Sequence, residues 1–437
     1  MRYLVNLVFV IAVAFLPATA EEWTLDKCID YALAHNTELK NKEREIAQTE
    51  NEILASYGSF LPTVSASGLH VLKESVSTFS LPGPGGTTVD YEMDMLNNYQ
   101  YSLSANLPLF TGGARFYGLK TAYAQRDIAR QEHRKTRMDV IYTVSEAYYN
   151  VIYAGLMTEL AQETVEILEE QKGMVEAQYN NGEASNLDLL QARVELNNAR
   201  PDALKARSGY KTALMSLKNI LGVAEEFPLT VSHDFNVDEE RVLPEKDRLM
   251  DLALENNPDI QILKKNSDIV DYSKSMSKGQ YLPSVVLSGT YGQQKEEWGQ
   301  DWEDSYNITL ALQWNLFQGL KRPTGIKNLS LQQDILDDTY RDIVEKTGID
   351  LSMKLESVRE ARERLDAQKT NLSLAGESLD VAKTGYQEGV VSLLELMQAR
   401  IGYNNAKAGD IRARYDLNLS WLKLNKAAGI LEKEEAL

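Results

Sequence analysis

Residues Tyr179 to Ala199 read YNNGEASNLDLLQARVELNNA, and residues Tyr386 to Ala406 read YQEGVVSLLELMQARIGYNNA. Of these 21 aligned positions 11 are identical, at an offset of 207 residues that holds from Gly112/Gly319 to Gly222/Gly429. Upstream the offset becomes 221, aligning Leu61-Pro62 with Leu282-Pro283, Gly68 with Gly289, and Ala32-Leu33 with Ala253-Leu254. The first copy therefore carries 14 extra residues between Gly68 and Gly112. Solenoid repeats have periods of roughly 20–50 residues. A duplication this long reads instead as two copies of one large unit built into a single architecture.

The quoted stretches sit where two very long helices turn back. No proline occurs from Ala114 to Asn181 or from Thr324 onward, and Pro323 falls in a first turn, where proline is tolerated. A helix of about 68 residues is a rod of about 100 Å, several times the thickness of a bilayer's hydrocarbon core. Its apolar residues follow coiled-coil spacing, as in Leu365, Leu372, Ala375, Leu379, Ala382 and Tyr386. These rods pack on other helices in water. Each ends at a glycine in the C′ place, Gly182 or Gly389, and the returning helix starts with a capping box, Ser185-x-x-Asp188 or Ser392-x-x-Glu395. Gly182, Ser185, Gly389 and Ser392 thus mark exposed rod ends, which are candidate docking turns. Pro201 is expected to interrupt and kink the first returning helix. Helices Leu25 to Tyr57 and Lys246 to Lys278 lead into each copy.

Before each rod the period changes from 3.6 to 2. Odd positions from Tyr99 to Leu109 are apolar and even ones polar, and Tyr306, Ile308, Leu310, Leu312, Trp314 and Leu316 alternate with Asn307, Thr309, Ala311, Gln313 and Asn315. Weaker alternation over Val64 to Leu72 and Val285 to Gln293 supplies a partner strand, so each copy offers one hairpin. Strands of about 11 residues suit a tilted bilayer crossing. The 14-residue surplus, with Ser80-Leu81-Pro82-Gly83-Pro84-Gly85-Gly86, reads as an exposed loop. A soluble sheet packed on a core would alternate too. An export signal, aromatic strand ends and the lack of further strands weigh against it. Four strands cannot enclose a barrel, and lipid tolerates no open edge, so the chain must oligomerise. Two copies would give eight strands around a packed interior, and three would give twelve around a lumen.

Met1 to Ala20 has an Arg, an apolar run from Leu4 to Leu16 and Ala18-Thr19-Ala20, the pattern of a secretory leader. The expected organisation is leader 1–20, first repeat 21–222, linker 223–248, second repeat 249–429 and tail 430–437. A net charge of −18 argues against nucleic acid and anionic surfaces as partners. Cys28 is the single cysteine and reads as a core helix position. His35, His70, His133 and His233 lack ligand spacing. No nucleophile elbow, P-loop or dinucleotide fingerprint is present. The chain reads as a non-enzyme with no cofactor and no metal site. A trimeric coiled-coil adhesin or envelope protein is the alternative class, and it would not need two hairpins at equal places in a duplication.

The duplicated order of Ala-Leu-x-x-Asn (Ala32, Leu33, Asn36; Ala253, Leu254, Asn257), Leu-Pro strand starts, Leu-Phe-x-Gly bends and Tyr-x-x-Gly-x-x-Ser turns resembles the TolC family of outer-membrane efflux proteins. The resemblance implies a mainly α fold with a small β part: a homotrimer whose four strands per chain form a 12-stranded transmembrane barrel in outer-membrane lipid, continued by an α-helical barrel through the periplasm. It implies a periplasmic adaptor and an inner-membrane transporter of the RND, ABC or MFS type as partners. Cargo is expelled through a passive conduit in efflux or type I secretion. It also implies a periplasmic gate. By position Glu395 matches a ring acid, Gln398 stands where a second acid is often found, Asp188 and Tyr386 match a tethering pair, and Val391 takes a place that can hold a tethering arginine. With one ring acid and no arginine, cation selectivity and the latch are both expected to be weaker than where both rings are present.

Overall fold

The computed structural model describes residues 22–72, 77–83, 87–93, 99–232, 235, 241–295, 299 and 301–432. The expected leader, most of the glycine-rich loop tip, part of the linker and the end of the tail lie outside these residues. The described chain runs β1 (Glu22–Trp23), α1 (Leu25–His35), α2 (Thr37–Gly58), β2 (Thr63–His70), β3 (Ser77–Pro82), β4 (Thr88–Met93), β5 (Tyr99–Thr111), α3 (Ala114–Asn180) and α4 (Asn186–Leu221). It continues with β6 (Thr230–Val231), α5 (Lys246–Asn256), α6 (Pro258–Gly279), β7 (Ser284–Lys295), β8 (Glu303–Gln313), α7 (Lys321–Gln387) and α8 (Leu393–Ala427). The two rods, α3 and α7, are 67 residues each.

Three sequence expectations are corrected. The helix leading into each copy is two helices, because Asn36 and Asn257 leave helical geometry with ψ of 124° and 118°. Each asparagine ends one helix with its backbone and starts the next with its side chain: Oδ1 of Asn36 accepts from the Leu39 amide at 2.9 Å, and that of Asn257 from Asp259 at 3.0 Å. Pro258 then takes the N1 place. Pro201 does not interrupt α4, which continues through it. The 14-residue surplus is not only loop, since β3 and β4 pair antiparallel from Ser77↔Met93 to Pro82↔Thr88. Further strands therefore exist, and a short parallel pair of β1 with β6 is another.

The chain divides into two compact units, each fed by both repeats. One comprises residues up to Glu43, Glu132–Gln261 and Asp342 onward. Its core includes two large apolar clusters and a smaller one at the far turns. The first joins α1, α3 and α4 through Cys28, Val144, Val151, Ile152, Leu217 and Leu221, and takes Leu229, Val231 and Phe235 from the linker. The second joins α5, α7 and α8 through Leu249, Leu351, Val358, Leu365, Leu417 and Leu424. Described residues of the linker thus contribute to the core, with Phe235 against Tyr149, and Arg241 lies over the ring of Trp421 at 4.3 Å.

The other unit, Arg44–Gln131 and Ile262–Arg341, holds a four-stranded antiparallel sheet in the order β2-β5-β7-β8. The internal register reproduces the duplication. Val64 pairs with Ala105 and Gly68 with Tyr101; their counterparts Val285 and Gly289 pair with Leu312 and Ile308.

Candidate functional site

Register and alternation give the sheet two opposed faces. Val64, Ala66, Leu103, Ala105, Leu287, Tyr291, Tyr306, Ile308, Leu310 and Leu312 share one, while Ser65, Ser67, Ser102, Ser104, Ser288, Thr290, Asn307 and Thr309 share the other. The polar face is laced by hydroxyls, with Ser65 and Ser104 Oγ atoms 2.8 Å apart and those of Ser67 and Ser102 2.7 Å apart. The apolar face has no cover among the described residues: Tyr306 is 85 % exposed and Ile308 80 %. A soluble sheet would bury such a face. Both edge strands, β2 and β8, are exposed along their whole length.

The second candidate site is the pair of turns that close α3–α4 and α7–α8. Gly182 and Gly389 adopt φ of 80° and 78°, a conformation glycine takes without steric penalty. The carbonyls of Gln178 and Gly385 accept the amides of Glu183 (2.8 Å) and Val390 (2.9 Å), so both rods end in the same way. Both capping boxes form. Ser185 and Asp188 bond reciprocally, as do Ser392 and Glu395, whose Oε2 takes the Ser392 amide and hydroxyl at 2.8 Å each. These bonds from Ser392 hold the exposed Glu395 carboxyl below its ordinary value.

An apolar cluster of Val175, Leu189, Ala192, Leu393 and Met397, with Tyr386 against it, brings the two turns side by side. Glu395 and Gln398 stay exposed beside it, as do Gly182, Ser185, Gly389 and Ser392. Tyr386 does not bond Asp188. Its hydroxyl donates to Gln178 Oε1 at 3.0 Å, and burial together with the Asp188 charge raises its pKa. Val391 packs on Gly385, where an added Cβ would meet its Cγ2 at 2.5 Å. Sequence reasoning missed Gln178 and Gly385. They occupy the same place in the two repeats, one a long amide and the other a bare backbone, so the internal alignment carried no signal.

An antiparallel sheet with a bare apolar face, open at both edges and joined to helices far longer than a bilayer is thick, defines a building block of outer-membrane channels. Comparison with known sequences agrees: the profile described as "Outer membrane efflux protein" matches residues 28–223 and 249–430. The chain belongs to the outer membrane efflux protein family. Among its relatives, the alkaline protease secretion protein AprF of Pseudomonas aeruginosa is 25 % identical over 80 % of this chain and 73 % of its own. The probable efflux pump outer membrane protein TtgC of Pseudomonas putida is 21 % identical over 93 % and 82 %. The crystal structure of the Campylobacter jejuni CmeC outer membrane channel superposes with a TM-score of 0.75, covering 94 % of this chain and 87 % of that one at 19 % identity. These relatives are channel and transport proteins rather than adhesins.

Proposed function

We propose that this protein is the outer-membrane conduit of a tripartite efflux or type I secretion system, a homotrimer whose sheets close a barrel in lipid and whose helices line a periplasmic tunnel. The observation that carries the reading is the four-stranded sheet with a bare apolar face and two unpaired edges. In hydrocarbon every backbone amide and carbonyl needs a partner, and only closure among several copies supplies it. The hydroxyl-lined face then borders water. It offers no specific ligand chemistry, consistent with passive conduction.

The turns are the periplasmic end in this reading. Glu395 forms a single ring of carboxylates around the axis, Gln398 adds a neutral ring, and Tyr386, held by Gln178, with Asp188 steadies the helices that carry them. The exposed turns around Gly182, Ser185, Gly389 and Ser392 dock a periplasmic adaptor, which couples the conduit to an inner-membrane transporter that supplies the energy. One of the relatives above is named for protease secretion and the other for efflux, so both systems stay within the proposal.

Membrane fractionation followed by planar-bilayer recording tests the reading. The expected result is an outer-membrane protein that needs detergent and conducts ions. A water-soluble, monomeric, non-conducting chain would overturn it. Crosslinking that mapped the adaptor to residues 227–246 instead of the turns would overturn the docking assignment alone.

A further inference from the structure

The net charge of −18 is not spread evenly along the chain. The last eight residues of α2 and α6 and the first eight of α3 and α7 lie next to the sheet, and they hold seven bases against one acid, Glu52. The bases are Arg115 and Lys120 on α3, Lys274 and Lys278 on α6, and Lys321, Arg322 and Lys327 on α7. None of them has an ion-pair partner among the described residues, and Lys120, Lys278, Lys321 and Lys327 are exposed. Two helices end here and two begin, so their dipoles oppose and the positive charge comes from side chains. The repeats build the same contact twice. Arg115 lies over the ring of Phe60 at 4.9 Å, and Arg322, its counterpart, over that of Tyr281 at 5.0 Å. Arg115 also donates to the Ser59 carbonyl at 3.2 Å. Arg322 is only 6 % exposed and its Nε has no hydrogen-bond partner, a costly state for a guanidinium that no anion meets.

We propose that this basic collar binds the phosphate of an anionic phospholipid whose acyl chains lie on the apolar face of the sheet. The inference rests on the channel reading and adds to it the chemistry of the lipid. The collar borders the apolar face directly. Trp314 continues the alternation of Ile308, Leu310 and Leu312, and its indole donates to the carbonyl of Tyr281, the residue whose ring carries Arg322, at 3.0 Å. Leu316, Phe317 and Leu320 extend the exposed apolar run from β8 to Lys321 and Arg322. A phosphate joined to an acyl chain meets both surfaces, whereas a free phosphate meets the bases alone. A zwitterionic headgroup brings its own cation. With seven bases and one acid, six positive charges per chain are left over, and they favour a headgroup of net negative charge.

Lipid retention by the full chain tests the collar. The purified protein is passed through mixed micelles holding equal amounts of phosphatidylglycerol and phosphatidylcholine with the same acyl chains, and the lipid it keeps is extracted and counted. Phosphatidylglycerol should be enriched about fivefold for each base in contact with it. The enrichment should vanish at an ionic strength of about 1 M, where charges are screened within about 3 Å. Glycerol 1-phosphate at matched ionic strength should not displace the lipid. Lys321→Gln/Lys327→Gln changes two exposed side chains and should lower the enrichment severalfold with circular dichroism unchanged; Arg322→Gln should lower it as well. Lys346→Gln/Lys354→Gln removes the same charge about 28 Å further along α7 and should leave the enrichment as it was. Equal retention of the two lipids, displacement by glycerol 1-phosphate, or undiminished enrichment in Lys321→Gln/Lys327→Gln would overturn the headgroup site and leave the channel reading intact. An unmodified protein that stays soluble without detergent and keeps neither lipid would count against the channel reading itself.

Discussion

Asp188 and Glu395 each cap a helix, and a gating duty is proposed for them beside it. Each closes a capping box, and a carboxylate fixed in that way is placed on the rim of a turn with little freedom to move. The Ser392 bonds favour the ionised form of Glu395, whereas neighbouring carboxylates in a ring would oppose it. Ser392→Ala should raise the Glu395 pKa, read from the carboxyl carbon shift in an NMR titration. Because the folded value is depressed, the cap's contribution is present above the ordinary value of 4.5 and is lost as pH falls through the folded value. If Glu395 lines the conduit, Glu395→Gln should reduce cation selectivity and block by polyvalent cations in planar bilayers, shifting the reversal potential in a salt gradient toward zero. An unchanged reversal potential would leave Glu395 as a cap only. The sequence displayed these acids and their serines. It did not display that Tyr386 reaches Gln178, because a hydroxyl's partner on another helix depends on how the rods pack.

At the scale of elements, the two asparagines at the helix breaks carry more than their place in a motif suggested. A helical pattern runs on either side of Asn36 and Asn257, so periodicity alone predicts one helix. The break arises because an asparagine side chain competes for the backbone and then caps the following helix. Asn257 also donates its Nδ2 to the Ala427 carbonyl at 3.3 Å, fastening the break to the end of α8. Asn257→Ala should cost about 1 kcal/mol for the cap, with somewhat more for the second bond, in urea unfolding of the purified protein. Pro201 shows the converse. A proline signal that predicts an interruption is accommodated within a helix whose length and tertiary packing outweigh one missing amide bond. The β3–β4 ribbon escaped prediction because glycine and proline at its tip dominate a short stretch whose pairing is local but weakly patterned.

For the whole molecule, apolar burial is concentrated in the clusters of the helical unit. Cys28, on α1, is packed in the first of them. Its thiol is raised from 9.0 to about 12 by burial, against a small lowering by Lys27. A raised folded value means that the stabilisation is complete below pH 9.0 and is lost as pH climbs toward about 12, since only the unfolded chain gains the thiolate. Moving from pH 7 to pH 10.5 should therefore destabilise the protein by about 2 kcal/mol more than it destabilises Cys28→Ala, read from urea midpoints of the two proteins at both pH values.

Sequence alone determined the duplication, the length of the rods, the turns and the alternation of the strands, because each is a periodic or local property in which a residue's neighbours along the chain set its conformation. Tertiary structure decided the rest: the pairing of β5 with β7, the linker's place in the core, the meeting of the two turns around Val175 and Met397, and the difference between a crowded Gly112–Gly279 contact and the open Gly58 and Gly319. Those are relations between segments that the chain brings together only on folding. Two copies of one pattern align as strings, and only their juxtaposition in space shows that β5 and β7 are paired within the chain while β2 and β8 are left at the edges.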